Sequence, residues 1–257
     1  MAAIFVRSLI YNVLFYVLTV CWIVVALPTF LMPRAVILTV ARWWARSSLW
    51  LLRIVCGVRT DYRGTEKIPK GPLIVASKHQ SMLETFALVQ FFDEPRYILK
   101  RELLWIPFFG WYLNKAGMIG IERGTGGRPL LDMVRRAREA VQRGAQLIIF
   151  PEGTRTAVDA PPQYKNGVGV IYAGCQAPCI PVALNSGLFW PRRSFLRYPG
   201  TLVIEFLDPL PAGLPRDEFV ARVSAAIEQA SRRLVDTART EQAELFGGIP
   251  GPSSAKV

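Results

Sequence analysis

The sequence predicts an α/β fold, a mostly parallel sheet flanked by helices, preceded by an N-terminal two-helix membrane-attachment segment. Three observations predict it. Short apolar runs bounded by turn residues alternate with helical patterns from about residue 61 onward. The stretch from Ser8 to Pro33 holds no charged side chain. And 51% of the chain is hydrophobic while only 19% is charged, too apolar for an ordinary soluble domain.

Taken in order, the uncharged run is flanked by Arg7 and Arg34 and exceeds the ~20 residues a spanning helix needs. It is too long for a cleaved signal peptide and lacks a small-x-small cleavage site. Asn12 and Pro28 interrupt it, so a re-entrant helix kinked at Pro28 is the alternative to a spanning one. The next segment carries Arg42, Arg46 and Arg53 within about 40° of one another on a helical wheel, beside Trp43, Trp44 and Trp50. Arginines beside tryptophans suit a helix lying in the headgroup layer, though a second spanning helix with snorkelling arginines reads the same way. Residues 1–60 are therefore expected to be an anchor, 61–246 the catalytic domain, and 247–257 a disordered tail.

In the domain, "PLIVAS", "RYILK", "GMIGIE", "AQLIIF", "CIPVALN" and "TLVIEFL" read as strands. "MLETFALVQFF", "LLDMVRRAREAVQRG", "VGVIYAGCQ" and a charged segment from about Arg216 to Leu245 read as helices. Ligands of such folds collect beyond the carboxyl ends of the strands. His79, Lys100, Arg123 and Glu152 each stand at such an end, four polar groups able to converge on one site.

His79 is the only histidine. It lies five residues before Glu84, with Ser81-x-x-Glu84 between them as a capping box. Ser81 would be the N-cap, and Glu84, the third helical residue, would reach back toward the imidazole. A carboxylate on one ring nitrogen fixes the tautomer and leaves the other nitrogen as a base. Glu84 also reads as a plain helix cap beside a satisfied loop histidine. No G-x-S-x-G elbow accompanies the pair, so the proton would come from a substrate hydroxyl.

A second cluster, "FPEGTRT" at Phe150–Thr156, follows a buried strand and offers Gly153 for close backbone approach and Arg155 for a phosphate. There is no Walker loop, and "RGTGGRP" fails the dinucleotide fingerprint. The net charge of +12, with so apolar a chain, favours anionic lipid over nucleic acid as partner. Four cysteines without a C-x-x-C pair and one histidine leave few soft ligands, so no metal is expected. "FWPRRSFLRYPG", Phe189–Gly200, reads as a second lipid contact or as a basic surface loop.

With these blocks in order, "KHQSMLE", "KRELLWIPFFGWYLNKAGMIGIER", "FPEGTRT" and "CIPVAL", the sequence resembles the membrane glycerolipid acyltransferases, most closely the 1-acylglycerol-3-phosphate acyltransferases, over roughly Gly64 to Leu210. One departure is Glu84, where the family usually has Asp. The resemblance implies His79 as general base on a glycerol hydroxyl, oriented by Glu84, with attack on the thioester of acyl-CoA or acyl carrier protein and no acyl-enzyme. It implies Lys100, Arg123 and Arg155 on the acceptor phosphate, with Lys165 a weaker candidate. Glu152, Gly153 and Thr154 would shape the acceptor site, and Pro181 the donor side. It implies no cofactor, and a membrane setting, the bacterial inner membrane, with the domain facing the cytoplasm. Within the family, a lyso-ornithine lipid, a lysophospholipid or glycerol 3-phosphate are alternative acceptors. Outside it, a non-enzymatic basic lipid-binding protein is the rival reading, and a hydrolase a weaker one.

Overall fold

The computed structural model describes residues 1–122 and 127–245, the side chains of 127–129 excepted. Two long helices, α1 (Ala2–Ala26) and α2 (Arg34–Cys56), are joined by a 3₁₀ turn at Leu27–Leu31. The strands follow as β1 (Val58–Arg63), β2 (Leu73–Ser77), β3 (Pro95–Lys100), β4 (Ile119–Ile121), β5 (Gln146–Ile149), β6 (Cys179–Leu184) and β7 (Gly200–Phe206). Among them lie α3 (Leu83–Ala87), α4 (Phe109–Lys115), α5 (Gly127–Gln142), α6 (Gly167–Cys175) and, last, α7 (Arg216–Leu245).

The strands form one sheet in the order β1-β7-β6-β2-β5-β3-β4, parallel throughout except for the β6–β7 pair. Both faces are covered, which is why the central strands are continuously apolar rather than alternating. Along β2, Leu73 and Val75 pack toward α2 and α3, while Ile74 and Ala76 meet Met133, Ile171, Phe219 and Ile227 beneath α5, α6 and α7. The β6–β7 connection carries no crossover helix, so the chain folds back antiparallel.

Two elements were not expected. β1 occupies "VRTDYR", where only Val58 is buried; an edge strand of polar residues leaves no apolar run to read. The boundary at residue 60 thus falls inside a strand. The second, α4, lies within the motif-bearing stretch after β3. The helix expected at "MLETFALVQFF" is present as α3, a short α-helix continued by a 3₁₀ turn over Leu88–Phe91.

The N-terminal helices share the core of the sheet. Tyr11 and Phe15 pack edge-on against Trp190, each with centroids 5.5 Å away. The Arg197 guanidinium lies 3.9 Å over the Trp190 ring and donates to Asn12 Oδ1 at 2.9 Å. Asn12, an interruption in the apolar pattern, is therefore a docking residue, and Phe189–Gly200 is the loop that receives it. At the other end the Tyr112 hydroxyl donates to Ile23 O at 2.7 Å, and Lys115 Nζ to Phe30 O at 3.0 Å. Both ends of α1 are tied to one domain, while most of its apolar side chains, Val13, Val17, Val20 and Val24 among them, remain exposed. On α2, Arg46 and Arg53 are exposed with Trp43 and Trp50. Trp44 departs from that stripe: it packs on Phe86 at 5.3 Å and donates to Thr19 Oγ1 at 3.2 Å.

Candidate active site

The central feature is built at the ends of β2 and β5. As β2 ends, the Lys78 amide still pairs with Val182 O at 3.0 Å, and the chain then turns through His79–Met82 into α3. Glu84 lies fully buried on the first turn. Its Oε1 accepts from the Gln80 and Ser81 amides, both at 2.7 Å, and lies 2.9 Å from His79 Nδ1. Its Oε2 accepts from the Ser186 hydroxyl at 2.8 Å. Met82 rather than Ser81 is the N-cap, yet the back-reaching bond of the capping box is made, because the Glu84 carboxylate takes the Ser81 amide. An acceptor-only carboxylate against Nδ1 puts the proton of the neutral ring there and leaves Nε2 free. The imidazole stacks on Phe150, centroids 3.9 Å apart and planes 18° apart.

Glu152, directly after β5, reaches the same loop from the other side. It is almost wholly buried. Its Oε2 accepts from the His79 amide at 2.8 Å; its Oε1 accepts from Lys78 Nζ at 2.8 Å and from the Thr156 hydroxyl at 2.7 Å. Lys78, only 3% exposed, also donates to Glu228 Oε1 of α7 at 2.6 Å. The Tyr164 hydroxyl donates to the same oxygen at 3.0 Å; burial first, then the charges of Glu228 and Glu152, push that hydroxyl's pKa far up. The Thr156 amide closes the assembly by donating to His79 O at 2.9 Å. A buried lysine between two carboxylates thus backs the histidine's own peptide unit.

The turn after Glu152 carries Gly153, Thr154 and Arg155. Gly153 holds φ +68°, the left-handed region, and a Cβ there would touch Lys165 Cγ at 3.4 Å. The Lys165 amide donates to Pro151 O at 2.9 Å, which brings this lysine beside the turn. Thr154 is exposed, and Arg155 O accepts from Arg192. Lys100 ends β3 as expected, exposed and 3.0 Å from Glu102 Oε1. Arg123 and residues 124–126 of the Gly-rich stretch lie outside the described residues. Pro181 is buried inside β6 opposite Ala76, with its carbonyl accepting from the Leu207 amide at 3.0 Å. Among the described residues there is no group of three or more His, Cys, Asp or Glu side chains set to hold a metal ion.

Lys78, Thr156, Ser186 and Glu228 were missed by sequence reasoning. Ser186 follows a strand end, a signal available in principle. Glu228 lies 150 residues from Lys78 on a charged helix, and nothing local distinguishes it from its neighbours.

A family model described as Acyltransferase matches residues 59–185, which span β1 to the end of β6 and every residue around His79 described above except Ser186 and Glu228. That stretch of the chain is similar to the family's domain. Among curated proteins, the 1-acyl-sn-glycerol-3-phosphate acyltransferase of Pseudomonas aeruginosa is 40% identical over 161 residues, 63% of each chain. The mouse 1-acyl-sn-glycerol-3-phosphate acyltransferase alpha is 30% identical over 170 residues, 64% of this chain and 60% of that protein. The chain thus covers somewhat less than two thirds of these relatives. Among solved structures, the crystal structure of the 1-acyl-sn-glycerophosphate acyltransferase PlsC from Thermotoga maritima shares the fold, with TM-score 0.74 and 22% identity over 89% of this chain and 97% of that one.

Proposed function

We propose that this protein transfers a fatty acyl group from acyl-CoA or acyl carrier protein to the free hydroxyl of 1-acylglycerol 3-phosphate, forming phosphatidate. The observation that carries the reading is the 2.9 Å contact between His79 Nδ1 and a Glu84 carboxylate itself fixed by two amides and a hydroxyl. With Nδ1 so engaged, Nε2 takes the proton as the acceptor hydroxyl attacks the thioester carbonyl. The tetrahedral intermediate collapses with cleavage of the C–S bond, and the imidazolium returns the proton to the leaving thiolate. Glu84 stabilises that transient imidazolium, and general-base help of this kind contributes ~10²–10⁴-fold. No acyl-enzyme forms and no cofactor takes part.

Glu152 serves indirectly, by gripping the His79 amide. Lys100, Arg123 and Arg155 bind the acceptor phosphate, with Lys165 beside them; Lys100 exchanges its exposed Glu102 partner for the phosphate. Gly153 and Thr154 shape the turn at which the glycerol lies. The exposed apolar face of α1 holds the enzyme to a membrane, the bacterial inner membrane with the domain on the cytoplasmic side. Because both ends of α1 are tied to the same domain, the helix lies in one leaflet rather than crossing the bilayer.

The test supplies the protein in vesicles with a long-chain acyl-CoA and a panel of acceptors, following thiol release and lipid products. Phosphatidate from lysophosphatidate, in step with thiol, is expected, and Arg155→Ala should raise the acceptor KM more than it lowers kcat. Transfer only to acceptors without a phosphate would overturn the substrate, and no transfer from folded protein would overturn the reaction.

A further inference from the structure

The stretch between β3 and β4 has a surface that the chemistry at His79 does not use. Trp105, Ile106, Phe108, Phe109 and Trp111 are all exposed, Trp105 by 66% and Trp111 by 50%. Their exposure is built into the backbone. The Phe109 amide donates to Pro107 O and the Gly110 amide to Ile106 O, both at 2.7 Å. Phe108 sits at φ +60°, a strained conformation for an aromatic residue. Gly110 admits no side chain, since a Cβ there would come within 2.2 Å of Leu104 O. A tight, strained turn is thus maintained with its aromatic rings facing outward, where water makes them unfavourable.

The underside of this turn shows what covers it. Tyr112 stacks on Phe30 at 4.8 Å and donates to Ile23 O, while Lys115 Nζ reaches Phe30 O. The turn is therefore seated on the end of α1, beside the fully exposed Leu31. Its apolar surface continues the exposed apolar face of that helix. Arg101 and Lys115 flank it, and interfacial tryptophans with basic neighbours suit the headgroup boundary. The turn also springs from the carboxyl end of β3, the same end of the sheet at which His79 leaves β2.

We propose that residues 103–111 form a second bilayer contact, entering the same leaflet as α1 and seating the strand-end site against the lipid surface. The occupant is the bilayer itself rather than a protein partner, because the patch is continuous with an apolar helix already too exposed for water. The role in acceptor delivery rests on the acyl-transfer reading above; the contact itself does not.

Two measurements on the full chain test it. In a Cys21→Ser background, a nitroxide is placed at Trp111→Cys and, as control, at Ser224→Cys, a half-buried position of α7. In phosphatidylglycerol–phosphatidylethanolamine vesicles, the label at 111 should become accessible to oxygen and shielded from a water-soluble nickel chelate, while the label at 224 stays in water. A label at 111 as open to nickel as that at 224 would overturn the contact, whatever the enzyme's activity. The second compares acceptors. Trp105→Ser with Trp111→Ser should raise the apparent KM for vesicle-borne long-chain lysophosphatidate about tenfold. It should leave turnover of soluble 1-hexanoylglycerol 3-phosphate unchanged. Equal losses on both acceptors, or no change on either, would contradict a role in seating the site.

Discussion

Glu84 and Glu152 reach one histidine from two neighbouring strand ends, and they hold different parts of it. Glu84, at the start of α3, takes the imidazole Nδ1 together with the two amides that follow. Glu152, after β5, takes the backbone amide of His79 and answers to a buried lysine. Both are buried carboxylates with every oxygen engaged, yet one is set against the ring nitrogen and the other against the loop's backbone. Burial and hydrogen bonding alone therefore do not assign a chemical role; the atom that is held does.

Substitutions can break or sharpen this contrast. The largest effect on chemistry is expected from Glu84→Gln, which keeps the size and removes the charge facing the imidazolium. Its kcat should fall ~10²–10³-fold, with KM within about threefold, in steady-state assays of thiol release. On the Glu152 side, the largest effect should be on stability. Lys78→Met leaves Glu152 and Glu228 facing one another without their cation, and should cost about 3–5 kcal/mol in denaturant unfolding. Adding Glu152→Gln to Lys78→Met should return part of that loss, a coupling a double-mutant cycle reads directly. If Lys78→Met unfolds no more easily than the parent, the charged cluster is not what holds the loop.

A milder matched pair sharpens the comparison further. Ser186→Ala removes one donor from Glu84, and Thr156→Val removes one from Glu152. The first should lower kcat several-fold at nearly constant stability. The second should cost ~1 kcal/mol of stability with a smaller change in kcat. The smallest effect belongs to Tyr164→Phe. Burial beside Glu228 and Glu152 raises that hydroxyl's pKa, so it remains protonated and donating across the working range. Its loss should cost about 1 kcal/mol and leave the neutral pH–rate profile where it was.

How much of this was legible in the sequence follows the same division. The Glu84 side is local: five residues, a capping box and a strand end sufficed to bring carboxylate and imidazole together. The Glu152 side is tertiary. Its strand-end position could be read, but its inward turn depends on Lys78 and on Glu228 of α7, which only the folded sheet brings near. Lys78 was hidden beside the more conspicuous His79, and a lone lysine after a strand looks like a solvated one. β1 was hidden for a related reason, since an edge strand of alternating polar residues carries no apolar run. The N-terminal helices were legible as apolar but not as docked, because Asn12 and Trp44 acquire partners only from the loop at Phe189–Gly200 and from Thr19 and Phe86.

The most direct test of the central claim uses the fact that His79 is the only histidine in the chain. With ¹⁵N-labelled histidine, the protein gives one imidazole pair in its NMR spectrum. At alkaline pH, with the ring neutral, the Glu84 contact predicts a protonated, pyrrole-type Nδ1 and an unprotonated, pyridine-type Nε2, relaxing toward the mixture of a free imidazole in Glu84→Gln. A wild-type spectrum with the proton on Nε2, or one already averaged between the two tautomers, would contradict the account, because no base would then be poised for the acceptor hydroxyl.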